Sequence, residues 1–150
     1  MTKLLLIFLS FLSLTTWAAP TCFDGQDPLE FNENKLLNYR DFTEKGFTAR
    51  AFLKGTLVSV LEERQKHIHF EVDMDEDLST LDDRIEVIYN IKFGEVPPFQ
   101  IGSEVIACGD FVNDPYSPTK AVVHWLHKAP AKSRHDHGYL MIDGVRTGHL

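Results

Sequence analysis

The stretch from Ala121 to Gly138 holds four of the chain's seven histidines, His124, His127, His135 and His137. Two more, His67 and His69, stand two residues apart in a segment that alternates apolar and polar residues. Neutral imidazole is a ligand for Zn²⁺, Cu²⁺ or Ni²⁺, and an imidazole of pKa near 6.5 can also give or take a proton near neutrality. The six fall into three pairs, His67-x-His69, His124-x-x-His127 and His135-x-His137. Residues two apart on a strand share a face, so His67 and His69 have the spacing of strand-borne metal ligands. Residues three apart face opposite ways, so His124 and His127 converge only if their strand ends near Leu126.

Three chemistries are compatible with these residues. The first is capture of a transition metal ion, Zn or Cu, by His67, His124, His127 and His135, with His69 and His137 as lesser members. The second is general acid–base catalysis by the same histidines, with Lys66, Lys128 and Arg134 steadying a phosphate, as in a phosphodiester hydrolase. Glu71 and Asp73 are then the nearest carboxylates for Mg²⁺. The third is a binding module for an oligonucleotide or oligosaccharide, in which Trp125, Tyr89 and Tyr139 stack on bases or sugars. Against all three stands the plain alternative of solvated strand histidines and a His124 hydrogen-bonded in the core. His149 is incidental to each.

The elements that must position these residues are strands. Residues 20–33 read as an irregular arm, and the spacing of Leu36, Leu37, Tyr39 and Phe42 predicts one short helix over 33–45, stopped by Gly46. Arg50–Glu62 reads as a long strand with Gly55 at an interior bend. In His67–Asp73, Ile68, Phe70 and Val72 face the core and the histidines face away. Residues 74–83 read as a solvated acidic loop. Further strands are expected at Arg84–Ile91, Val105–Val112 with a bend or bulge at Gly109, and Lys120–His127. Asp143-Gly144 between Leu140–Ile142 and Val145–Thr147 signals a type I′ hairpin.

Met1-Thr2-Lys3 followed by an uncharged run from Leu4 to Trp17 has the form of a secretory signal peptide ending at Ala18, too short to span a bilayer. Its removal takes away Lys3 and moves the formal charge from −7 to −8. An acidic chain of this length is one domain and needs a local basic patch to hold nucleic acid. A periplasmic or secreted monomer without a membrane span is expected. Export also places Cys22 and Cys108 where disulfides persist, and the absence of a Cys-x-x-Cys spacing makes a bridge between them structural.

From about Lys54 onward the chain resembles a family of small exported bacterial proteins, a domain of unknown function with an OB-like fold. Lys66-His67 with Phe70, Asn90-Ile91, Val123-His124-Trp125-x-His127, Pro130, Arg134-His135 and Gly138 carry the resemblance. It implies a shared site at His67, His124, His127 and His135 and names no activity. Lys128, Ala129 and Tyr139 depart from the family pattern, which favours His, Asp and Trp there, and His69 and His137 are additions to it.

The expected architecture is mainly β: a five-stranded OB-like Greek-key barrel over residues 49–150 with a C-terminal β-hairpin, preceded by an arm and short N-terminal helix over 19–48. A β-sandwich is the alternative.

Overall fold

The computed structural model describes residues 19–148, so the signal-peptide reading of residues 1–18 and His149 lie outside the described residues. The arm is not irregular. Residues Cys22–Asp24 (β1) and Asp27–Leu29 (β2) form a small antiparallel hairpin. Helix α1, Glu33–Phe42, starts at Asn32, whose side chain accepts the Lys35 N–H at 2.9 Å, and it stops short of the expected Lys45. Its C-terminal carbonyls are met by Asn113 Nδ2, which donates to Tyr39, Arg40 and Thr43. No described helix is long and apolar enough to cross a membrane.

Seven further strands make one sheet: β3 (Thr48–Arg64), β4 (His67–Asp73), β5 (Arg84–Asn90), β6 (Glu104–Asn113), β7 (Ala121–His124), β8 (Tyr139–Ile142) and β9 (Val145–Thr147). The order is β3-β4-β5-β7-β6-β8-β9, and β3 also pairs with β6. The pairings therefore close a ring of five strands, β3, β4, β5, β7 and β6, with β5 and β7 parallel and the other neighbours antiparallel.

Strand β3 closes the ring because it is long enough for two partners. Thr48–Thr56 pairs with β6 and Thr56–Arg64 with β4, and the handover falls beside Gly55. A side chain at Gly55 would strike the backbone carbonyl of Asp73, which explains the glycine expected there as a bend. Phe70, Val72, Ile85, Val87, Val105, Phe111, Val123 and Leu140 fill the interior with essentially no exposure. The hairpin at Asp143-Gly144 has positive φ at both turn residues, 46° and 81°, as a type I′ turn requires.

Strands β7 and β8 lie end to end along the same edge of β6. His124 faces Asp110, Tyr139 faces Cys108, and both strands run antiparallel to β6. Residues 125–138 thus leave the sheet and return to it at neighbouring positions, the geometry of an Ω-type loop.

A disulfide joins Cys22 of β1 to Cys108 of β6, as the sequence predicts. Across a separation of 86 residues it removes loop-closure entropy from the unfolded chain worth roughly 4 kcal/mol. The same arm is held by Gly25 N–H donating to Asp136 at 2.9 Å and by the Tyr139 hydroxyl donating to the Pro20 carbonyl. Buried Arg50 donates to the Phe23 and His137 carbonyls and to Asp110. The N-terminal hairpin is thereby fastened to the returning end of the 125–138 loop.

Candidate functional site

One end of the ring gathers the histidines. The start of β4 supplies His67, the end of β7 supplies His124, and the 125–138 loop supplies His127 and His135. All four line one cleft of about 410 Å³, with Asn90, Phe93, Trp125, Lys132 and Ser133. The ring centroids of His67 and His124 are 5.6 Å apart, and those of His127 and His135 are 5.0 Å apart and perpendicular.

The strand expected over Lys120–His127 ends earlier, at His124, and this brings His124 and His127 to one side. Trp125 carries the turn with φ of 55°, a left-handed conformation uncommon for a bulky residue. The indole then lies between two imidazoles, 5.0 Å from His124 and 5.9 Å from His135, each within about 30° of parallel. Trp125 is therefore part of the cleft wall. His127 is buried and lies flat against Phe93, centroid to centroid 3.5 Å.

Hydrogen bonds fix the tautomers of two rings. A backbone carbonyl can only accept, so His127 Nδ1–H donates to the Lys128 carbonyl at 2.9 Å and His135 Nδ1–H to the Asp136 carbonyl at 3.0 Å. In the neutral ring this leaves Nε2 with its lone pair, the arrangement in which second-shell contacts orient metal-ligating histidines. Burial holds the His124 pKa down at about 4, and the nearby His67, His127, His69 and His135 add to the effect. His127 is lowered for the same first reason, burial, with its carbonyl contact opposing. His124 and His127 thus offer uncharged nitrogen bases to the cleft at neutral pH.

The remaining sequence candidates lie elsewhere. His69 shares the His67 face, with centroids 6.5 Å apart, but its Nδ1 pairs with the buried Glu86 carboxylate. His137 Nδ1 accepts the Ala129 N–H at 2.9 Å on a separate depression beside the N-terminal hairpin. Tyr139 is buried against the Cys22–Cys108 cluster with Arg146 over its ring. It does not reach the cleft as a stacking residue. Tyr89 is a core residue whose hydroxyl meets Thr147 and the Gly94 carbonyl. Lys66, Lys128 and Arg134 are exposed and do not line the cleft; the cation that does is Lys132. Lys132, Ser133, Asn90 and Phe93 were not singled out as site residues from the sequence, although Asn90 belongs to the motif that carries the family resemblance.

Among the described residues, no three histidines bring ring nitrogens within 4.8 Å of one another. The one group of potential metal ligands with that spacing among the described residues is Asp73, Asp75 and Asp83, at the other end of β4 and in the loop that follows it. Comparison with protein-family models, curated proteins and solved structures finds no match to this chain.

Proposed function

We propose that this is an exported protein on an OB-like barrel whose histidine cleft binds a transition metal ion, Zn²⁺ or Cu²⁺. The carrying observation is that four imidazoles from three separate segments line a single cleft. Two have Nδ1 tied to backbone carbonyls and Nε2 left over, and His124 stays neutral above about pH 4, so little proton competition opposes coordination. The ring of strands, with its parallel β5–β7 pair and a first strand shared between two partners, supports the OB-like reading. The disulfide and the uncharged run from Leu4 to Trp17 support export.

Coordination requires rotation of His67 or His124 toward the His127–His135 pair, because the three-nitrogen cluster is not preformed. Affinity is accordingly expected to fall short of that of a closed structural zinc site. Metal analysis of the purified protein and calorimetry with ZnCl₂ and CuCl₂ test the reading. One ion per chain is expected in the parent and none in the variant carrying His124→Ala and His135→Ala; a parent that holds no metal tightly ends it.

The size of the cleft favours a second reading. At about 410 Å³ it exceeds what one ion needs, and Lys132 and Ser133 on its wall suit a phosphate oxygen. A His-dependent phosphodiester hydrolase would cleave bis(p-nitrophenyl) phosphate or an oligonucleotide and lose that activity in the same double variant.

A further inference from the structure

The acidic loop between β4 and β5 departs from the solvated segment its charge predicts. Asp73, the last residue of β4, has no solvent exposure, and Asp83, next to the start of β5, is 3% exposed. Asp75 lies between them at the surface, and one carboxylate oxygen from each of the three lies within 4.8 Å of the others. Asp73 Oδ2 accepts from Arg84 Nε at 3.1 Å, and Asp83 Oδ2 accepts from the Asp75 N–H at 2.9 Å. Their second oxygens, Asp73 Oδ1 and Asp83 Oδ1, are buried and have no hydrogen-bond partner.

A buried anionic oxygen without a partner is costly, and here two of them stand on neighbouring carboxylates. Arg84 does not balance them alone, since its guanidinium also reaches Glu71 at 3.6 Å and the Leu78 carbonyl. The surroundings add negative charge. Burial, and after it the charges of Asp83, Asp75 and Asp82, raise the pKa of Glu33 at the start of α1. The site therefore has an excess of carboxylate, two oxygens in need of a positive partner, and one open side at Asp75.

We propose that Asp73, Asp75 and Asp83 bind a hard divalent cation, Ca²⁺, with water completing its shell on the Asp75 side. Calcium takes oxygen ligands at about 2.3–2.6 Å, so oxygens on a common ion lie within about 5 Å of one another, as these do. The loop is anchored by two strands of the ring, so the ligands at its two ends are held in place before the ion arrives. The site is separate from the histidine cleft. His67 and Asp73 are the two ends of β4, roughly 20 Å apart at the rise of an extended strand. The two ends also differ in kind, nitrogen donors at one and carboxylate oxygens at the other.

Three carboxylates and an open side place the dissociation constant on the order of 10⁻⁴ to 10⁻³ M, the range of extracellular calcium modules. The test is calorimetry with CaCl₂ on chelator-treated protein, with thermal melting recorded with and without Ca²⁺. One ion per chain and a melting temperature that climbs with Ca²⁺ are expected. Asp83→Asn should weaken binding by at least about tenfold, and exposed Asp75→Asn should do so without risk to the fold. His127→Ala should leave Ca²⁺ binding unchanged. A parent whose melting is unmoved at about 10 mM Ca²⁺, well above the expected dissociation constant, overturns the proposal; if Asp83→Asn then melts higher, Asp73 and Asp83 share a proton instead. So does Ca²⁺ binding of equal strength in the parent and in both Asp variants.

Discussion

The His124 ring is uncharged in the folded protein down to about pH 4, whereas in the unfolded chain it takes a proton near pH 6.5. A folded-state pKa below the unfolded one means that the unfolded chain binds the extra proton in between. Stability from this group is therefore full above about pH 6.5 and declines as pH falls toward 4. The loss is on the order of 2 kcal/mol once screening at the open cleft is allowed for. Urea unfolding at several pH values should show a shallower acid decline in His124→Gln than in the parent; equal slopes would mean that His124 carries no such penalty. At this scale the sequence was informative about imidazoles and silent about their setting. The spacing of His67, His124, His127 and His135 was visible. The left-handed turn at Trp125 was not, because no Gly, Asn or Pro marks that position. Phe93 and Lys132 come from segments whose approach to the cleft depends on tertiary folding alone.

Among the elements, the meeting of β6 and β7 is the tightest constraint on the site. A side chain at Gly109 would run into the His124 carbonyl and the Leu126 side chain, so the glycine permits close approach where a bend or bulge was expected. Gly109→Ala should push the end of β7 off β6, cost about 2 to 3 kcal/mol, and carry His124 and Trp125 out of place. Thermal melting together with metal titration measures both effects, and a variant as stable and as competent as the parent would show that the contact relaxes freely. Strand β4 spans the same residues as its alternating pattern predicts, because one face is buried and the period of two is strict. The hairpin of β1 and β2 left no such trace, since three-residue strands are too short to show a period and Pro28 sits inside one. The burial of Asp73 and Asp83 was equally hidden, because a run of acidic residues reads as solvated.

For the molecule as a whole, the mainly β character of the described residues, with a short helix and a terminal hairpin, was legible from turn residues and alternation. The ring was only partly so. Its closure depends on β3 meeting β6 and on the parallel pairing of Glu86 with Val122 and Val87 with Val123, registers that no local pattern encodes. The cysteine pair was readable from the expected compartment, and its partners turn out to fasten the N-terminal hairpin beside the loop that carries His135. The end-to-end placement of β7 and β8 makes the cleft wall an insertion within what is otherwise one continuous strand. Only Gly109 separates their partners on β6, so a single residue could bridge His124 to Tyr139 in place of 125–138. Such a shortened chain should keep the far-end carboxylate group and the circular dichroism of the sheet, at reduced stability from the lost Leu126 side chain, and lose the transition-metal binding proposed for the cleft. The proposed chemistry would then be excisable from the architecture, a graft carried by a strand that is complete without it.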